Sequence, residues 1–287
     1  MILNCLDSLL SSDNHDVELV IADDCSTDNT YFYIKQWTNS HINYFENIVV
    51  LRQESNKGTV RNLIDAINES SAGFIKSIGG DDWFLDHAID KIKNFIDKNE
   101  FDIAFSPLRV AYQNQNGTVH MSPDEIIPAS RVNDFFCYDC KRQFQALTRW
   151  DCLPAPGALY TRRYWEIIKL EKQNYLTIAE DWAMWILGTL NNMKFVEIHE
   201  PLVVYRKHEK SVSREISPRQ KQGLQEVSTM LWRLGFSRPE WLTINDKLRL
   251  FLLCLSIKVV SLMPLKVIKI IDKVRRNLGA VIYKRKF

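Results

Sequence analysis

Val17-Glu-Leu-Val-Ile-Ala-Asp23-Asp24 is a short apolar run with β-branched residues that ends on two carboxylates. A segment of this length and composition, stopping where charge begins, predicts a buried strand over 17–22. Ser26-Thr27-Asp28 follows it, and its hydroxyl and carboxylate oxygens suit the free N–H groups at the start of a helix over 30–37. The unit then recurs: Asn47–Arg52 predicts a second strand, Asn56-Lys-Gly58 a break, and 60–68 a helix with Leu63, Ile64 and Ile67 on one face. A third strand is expected over 73–78, ending at Gly79-Gly80-Asp81-Asp82. Residues 84–99 predict an amphipathic helix, with Leu85, Ala88, Ile89, Ile92, Phe95 and Ile96 at intervals of three and four, and 101–112 returns to strand. Such alternation predicts an α/β domain with a mostly parallel sheet flanked by helices. Ligands of such sheets sit beyond the carboxyl ends of the strands, the edge where both acidic pairs fall.

Beyond this unit the signals weaken. Residues 113–160 read as loop-rich, with a turn between strands at Asn114-Gln-Asn-Gly117, although the aromatic content of 135–150 argues against a disordered linker. Helices are expected over 160–171 and 179–190, and strand, turn and strand over 194–206. Helices over 217–233 and 245–278 close the chain, the second broken near Pro264.

The bulk numbers exclude several classes. Of 287 residues, 46% are hydrophobic and 25% charged, which is a globular mix and argues against wholesale disorder. No run of about 18 apolar residues exists, so a simple membrane span is not expected. The N-terminus has no basic stretch and meets Asp7, unlike a signal peptide. Only Cys137 and Cys140 of the six cysteines are spaced C-x-x-C, with no second pair or His pair to complete a zinc site, so reduced cytosolic thiols are expected. The net charge of +2 hides an asymmetry: 241–287 hold eleven of the 37 Lys/Arg and two of the 35 Asp/Glu, or +9, which leaves −7 on the rest.

Asp81-Asp82 follows a strand and two glycines that let backbone approach a ligand. Adjacent carboxylates in a loop can share a hard divalent cation, which in turn holds phosphate oxygens. The same pair also suits an acidic helix N-terminus, favoured by the macrodipole. Further along the chain come Asn56-Lys-Gly-Thr-Val-Arg-Asn62, Glu180-Asp181-Trp182 and Tyr205-Arg-Lys-His208.

With Asp23-Asp24-Cys-Ser-Thr-Asp28 and Gly80-Asp81-Asp82-Trp83, these segments occur in an order that resembles family 2 glycosyltransferases, the inverting GT-A-type enzymes. The pattern there is a strand ending D-D-x-S-x-D, an N-x-G-x-x-x-x-R/N segment, a D-x-D-type motif, an E-D-W/x motif and a late Y-R-x-H. The resemblance covers roughly 1–213 and implies a GT-A-type mixed, mostly parallel sheet. It divides into a nucleotide-sugar half, 1–112, and an acceptor half, 113–213, followed by a helical basic extension over 214–287.

The resemblance implies roles residue by residue. Asp23 and Asp24 would face the nucleotide of a UDP-sugar, and Arg61 would lie near the base or diphosphate, a solvated helix face being the alternative. Asp82 would be the principal contact of Mn2+ or Mg2+, with Asp81 beside it on ribose or metal. Gly80 stands where the acidic motif opens with Asp, a departure the family tolerates. Asp181 would be the base that takes the acceptor hydroxyl proton, with Glu180 binding acceptor or orienting the site; both also suit a helix N-terminus. Arg206 would close over the diphosphate and His208 would complete the metal shell. Trp83 and Trp182 suit either sugar stacking or core packing.

The implied activity is inverting transfer of a sugar to a glycan or lipid-linked glycan acceptor in surface polysaccharide synthesis, in the cytoplasm or at the inner face of the cell membrane. One departure is large: the family pattern opens with an apolar strand ending near P-x-Y-N and then a helix whose second half reads like residues 3–11. The sequence starts inside that helix, so the expected sheet lacks its first strand, and a catalytically impaired nucleotide- or glycan-binding relic is the competing reading. A metal-dependent phosphohydrolase would use the acidic pairs but leaves Glu180-Asp181 and 205–208 unexplained. In the tail, 245–287 alternates short apolar runs with single bases. That suits either peripheral membrane contact or a helical cap with a solvated basic face. Nucleic acid is not an expected partner of an acidic body whose tail carries no reading module.

Overall fold

The first structural unit begins with helix α1 (Ile2–Asp7), strand β1 (Glu18–Asp23), α2 (Thr30–Ser40), β2 (Asn47–Arg52) and α3 (Thr59–Asn68). Then come β3 (Phe74–Ile75), β4 (Trp83–Phe84), α4 (Ala88–Lys98), β5 (Ile103–Phe105), β6 (Leu108–Gln113) and β7 (Val119–Ile127). The rest of the unit is α5 (Cys140–Leu147), β8 (Ala158–Thr161), α6 (Arg162–Ile168), α7 (Glu180–Leu190), β9 (Phe195–Glu197) and β10 (Val203–Lys207). This is a computed structural model that describes residues 1–172, 176, 180–208 and 218–268. The chain divides into two units, 1–208 and 209–287. The domain boundary expected at 213/214 lies outside the described residues.

The α/β class holds, but the sheet differs from the mostly parallel one expected. Among the described residues β1 and β2 form a parallel pair of their own, and two four-stranded sheets run β4-β10-β6-β7 and β3-β8-β5-β9. Three pairings are parallel (β1/β2, β10/β6, β5/β9) and four antiparallel (β4/β10, β3/β8, β5/β8, β6/β7). The reason lies in the second half, where β7 and β8 came from residues read as loop. β7 is a nine-residue strand of polar and half-buried residues, with no apolar run to announce it.

Other differences have local causes. The third strand shrinks to Phe74–Ile75, because Lys76 leaves the ladder to donate from Nζ to the carbonyls of Pro156 and Ala158. Residues 84–87 are not helical: Trp83–Phe84 pairs with Val203–Val204, and His87 adopts a left-handed φ of 57° before α4 starts. The strand expected over 101–112 breaks into β5 and β6 around Ser106-Pro107.

A buried apolar cluster ties the first half of the unit together. Leu6 and Leu9 near the N-terminus, Ile21 of β1, Ile34 and Trp37 of α2, Ile92 of α4 and Val203 of β10 belong to a single buried apolar cluster. A polar clamp ties β1 to the segment after α3: Glu18 accepts from the backbone N–H groups of Ser71 and Ala72 and from the hydroxyls of Ser70 and Ser71. Trp37 Nε1 donates to Asp7 at 2.8 Å.

The second unit contains α8 (Pro218–Met230), which runs on as a π-helical turn to Gly235, and α9 (Ile244–Leu262). α9 opens on a capping box in which Thr243 and Asp246 satisfy each other's backbone N–H groups, and it stops before Pro264. Of the helix expected over 245–278, the part from 269 on lies outside the described residues.

Candidate active site

The carboxyl end of β1 carries the first part of the site. Asp23 is buried, its carboxylate accepts from the Ser26 N–H at 3.3 Å, and Arg52, its register partner at the end of β2, lies 3.8 Å away. The Arg52 guanidinium sits 4.3 Å over the Tyr31 ring. Asp24 turns the other way and accepts from the N–H groups of Lys57 (2.7 Å) and Gly58 (2.9 Å), which fixes the loop before α3. Gly58 is left-handed there, with φ 85°, a conformation that a side chain would oppose. Asp23, Asp24, Arg52 and Tyr31 thus surround one strand end.

Arg61 does not join them. Its guanidinium pairs with Asp65 one turn along α3, at 2.9 Å, on a largely exposed face. Of the two readings of Arg61, this pairing favours the solvated helix face over a place near base or diphosphate. Lys57 leans on the same carboxylate at 3.3 Å.

The second part is the Gly79–Asp82 loop with the end of β10. The two carboxylates have opposite settings. Asp82 is only 3% exposed, and its Oδ1 accepts the Arg206 N–H at 2.8 Å, locking the loop to β10. Burial pushes its carboxyl up to about 7, with the Asp81 charge adding to the rise and the Arg206 N–H, Lys76 and the Arg206 charge opposing it. Asp81 is half-exposed, and its Oδ2 lies 3.2 Å from His208 Nε2. This geometry favours Asp81 over Asp82 as a metal contact: Asp81 and His208 face each other, while Asp82 is turned inward onto backbone. Among the described residues no group of three or more His, Cys, Asp or Glu side chains stands ready to hold a metal.

Arg206 is 2% exposed. Its guanidinium lies 4.7 Å over the Trp83 ring and donates from Nη1 to Gln113 at 3.2 Å, and burial lowers its pKa. Its Nε and Nη2 groups are buried and have no hydrogen-bond partner. Buried donors of this kind cost free energy and call for an explanation, such as a ligand. Beneath the loop, Lys76 is half-buried and its ammonium is pushed down to about 7 by burial, although it donates to three carbonyls. Helix α1 seats the loop from the other side: Cys5 Sγ meets the Gly79 carbonyl at 3.8 Å and Ser8 Oγ accepts the Phe84 N–H at 3.0 Å. Burial, then the charges of Asp82 and Asp81, push the Cys5 thiol up to about 12.

The third part is the start of α7. Asp181 is enclosed, its Oδ1 accepts the Trp182 N–H at 2.7 Å, and burial raises its pKa. Trp182 Nε1 donates to the Leu147 carbonyl at 2.8 Å, tying this helix end to the end of α5. Trp182 is therefore spent on packing and anchoring. Asp151, four residues past α5, is enclosed with one carboxylate oxygen unpartnered, and burial together with the Asp181 charge raises its pKa well above the ordinary range. Glu180 opens the helix and acts electrostatically on Tyr160, whose hydroxyl donates to Ser77 Oγ at 2.7 Å. Through Tyr160 and Ser77 the start of α7 is linked to the strand that leads into Gly79–Asp82.

Arg52, Tyr31, Lys76, Tyr160 and Asp151 had no assigned role in the sequence. Arg52 and Lys76 carry a faint signal, a charge at the end of or inside an apolar run. Tyr160 and Asp151 sit in a region whose strand and loop show no pattern.

A poly(ribitol-phosphate) beta-glucosyltransferase of Bacillus spizizenii is 31% identical over 114 residues, which is 38% of this chain and 17% of that protein. This chain thus spans under a fifth of that relative's length. The crystal structure of S. aureus TarS 1-349 in complex with UDP-GlcNAc matches with a TM-score of 0.56 at 15% identity, over 93% of this chain and 79% of that one. The complex of TarS 1-349 with UDP matches at 0.52 and 16%, over 91% and 77%. At such identities the likeness establishes the fold, which is GT-A type. The model of Glycosyl transferase family 2 matches residues 1–163, more than half the chain, and the chain belongs to that family.

Proposed function

We propose that this chain transfers a sugar, with inversion, from a UDP-sugar to a glycan or lipid-linked glycan acceptor in surface polysaccharide synthesis, at the cytoplasmic side of the cell membrane. The observation that carries the reading is the buried Arg206 guanidinium, with two unpartnered N–H groups, beside the Asp81–His208 pair. Two fixed, desolvated, positively charged donors suit a diphosphate, the leaving group of a nucleotide-sugar. The TarS complexes with UDP and UDP-GlcNAc support the donor class, and the relative named for poly(ribitol-phosphate) supports a wall-polymer acceptor.

The geometry supports a role for each residue. Asp23, Arg52 and Tyr31 form a polar and aromatic seat for the nucleoside, and Asp24 keeps the adjoining Lys57–Gly58 loop in place. Asp81 and His208 would hold Mn2+ or Mg2+, the donor set being one carboxylate and one imidazole, with phosphate oxygens completing the shell. When bound, such a cation neutralises the developing charge on the diphosphate. Asp181 accepts the acceptor hydroxyl proton as that oxygen attacks the anomeric carbon and the bond to the phosphate oxygen breaks. Inversion then needs no covalent intermediate. Its enclosed setting raises its basicity, which suits proton abstraction near neutral pH. Glu180 orients this end of the site through Tyr160.

The test is Asp181→Asn. Transfer should fall at least about a hundredfold while UDP affinity, measured by calorimetry, stays unchanged. Wild-type turnover in that variant would remove Asp181 from the mechanism.

A further inference from the structure

We infer that α9 is an in-plane membrane anchor, with a bilayer of anionic lipid as its partner. Ile244, Leu248, Phe251, Leu252, Leu255, Val259 and Leu262 are 45–84% exposed. At 3.6 residues per turn these seven side chains fall within an arc of about 100°, so they form one continuous stripe along the helix. The stripe is distinct from the face that packs within the unit, which carries Leu250, Cys254 and Ser261. Ser228 of α8 donates to the Cys254 carbonyl at 3.0 Å and marks that packed side. Exposed apolar surface on this scale marks a partner surface.

Charge selects the partner. Lys247 and Lys258 flank the stripe on one edge and Arg249 lies beyond the other. The only acid of α9 is Asp246, which is buried and engaged in the capping box. A second copy of this face would set base against base with no acid to answer it. Anionic headgroups answer all three. Trp232, 55% exposed, leans on Phe251 at 6.3 Å and adds the amphipathic ring favoured at the headgroup level. Beside it, a groove of about 460 Å³ between α8 and α9 is apolar at Phe251, Leu255 and Leu262 and basic at Arg233 and Lys258, a shape that takes an acyl chain below its headgroup. The same bias continues in sequence: beyond Lys266 come seven more Lys/Arg and one Asp. No helix among the described residues is long and apolar enough to cross a membrane, so the stripe lies along the interface.

The inference stands apart from the transfer reading, and its test does too. The full chain is sedimented with phosphatidylcholine vesicles, with and without phosphatidylglycerol. It should bind the anionic vesicles and bind the neutral ones at least about tenfold more weakly, with the difference shrinking in high salt. Leu248→Ser/Leu255→Ser/Leu262→Ser changes exposed residues only and should weaken binding at least about a hundredfold. Lys247→Gln/Arg249→Gln/Lys258→Gln should remove the preference for anionic lipid. Circular dichroism confirms that each variant is folded, and transfer to a detergent-free, water-soluble acceptor should be unchanged. Equal sedimentation of wild type and the leucine variant overturns the proposal. So does a wild-type dimer in analytical ultracentrifugation, without vesicles, that the leucine variant dissociates.

Discussion

Replacing Arg206 by Met removes a charge from the interior, and the structure gives each contribution. The guanidinium loses one hydrogen bond to Gln113, a half-buried residue that water can serve instead, at a cost of about 0.5–1.5 kcal/mol. The contact with the Trp83 ring is worth about 1–2 kcal/mol more when desolvated. Against this, two buried N–H groups without partners disappear, each relieving about 1–3 kcal/mol. Asp81 and Asp82 lose a nearby cation, a smaller effect at the half-exposed Asp81. Folding stability should therefore fall by no more than about 2 kcal/mol, and at the middle of these ranges it rises slightly. Donor affinity should change far more. Two charge-assisted bonds to phosphate oxygens at about 1.5–3 kcal/mol each predict a rise of at least about a hundredfold in the Kd of UDP. The assay pairs calorimetric titration with UDP in the presence of Mn2+ and urea unfolding of the ligand-free chain. A variant that loses more than about 4 kcal/mol of stability yet binds UDP like wild type would refute the reasoning, since Arg206 would then be a packing residue.

Two further outcomes follow from the same site. The carboxyls of Asp151 and Asp181 are both raised by burial, and Asp151 also by the Asp181 charge, so the folded chain holds these protons more tightly than the unfolded one. Stability from the pair is thus present at low pH and is lost as pH rises above the ordinary carboxylate range. Asp151→Asn should flatten that loss. It should also move the acidic limb of the kcat/KM profile to lower pH, because Asp181 then ionises without a like charge beside it; an unshifted limb would break the link between the two. Asp81→Asn and His208→Ala should each weaken the Mn2+ dependence of UDP binding at least about tenfold, whereas Asp82→Asn, whose Oδ1 can still accept the Arg206 N–H, should leave it within a few-fold. The reverse order, read by the same titration at several metal concentrations, would restore Asp82 as the metal contact.

The first half of the fold was legible because its strands are apolar runs that end in chemistry. Asp23, Asp24, Asp81 and Asp82 stand where the alternation of strand and helix places them, at the strand ends. Which carboxylate does what was not legible. Asp81 and Asp82 are neighbours in sequence, yet one faces His208 and the other a backbone N–H 124 residues away, and only the pairing of β4 with β10 decides between them. Arg61 shows the same limit: the family resemblance implies a place near the ligand, while in the structure it pairs with Asp65 at i+4 on the helix face. The second half hid its strands for a different reason. β7 has half-buried and exposed residues along its whole length, and β8 is four residues long, so neither carries a periodic signal that a sequence can show.

Charge balance connects these residues to the chemistry. Around the Gly79–Asp82 loop the protein sets two carboxylates, Asp81 and Asp82, against two cations, Arg206 and Lys76. Both cations are pressed toward neutrality by burial, Lys76 to about 7, and Asp82 is pressed the same way. The Lys76 ammonium is also committed to the carbonyls of Ser77, Pro156 and Ala158, and has no hydrogen left for a ligand. That leaves Arg206 as the cation with donors to spare in this cluster. One guanidinium beside an ionised Asp81 gives almost no net positive charge with which to meet a diphosphate. On the proposed function, the half-exposed Asp81–His208 pair is where a cation bound with the donor would supply positive charge. The inward Asp82 serves by holding β10, and with it both Arg206 and His208, at the distance the loop requires.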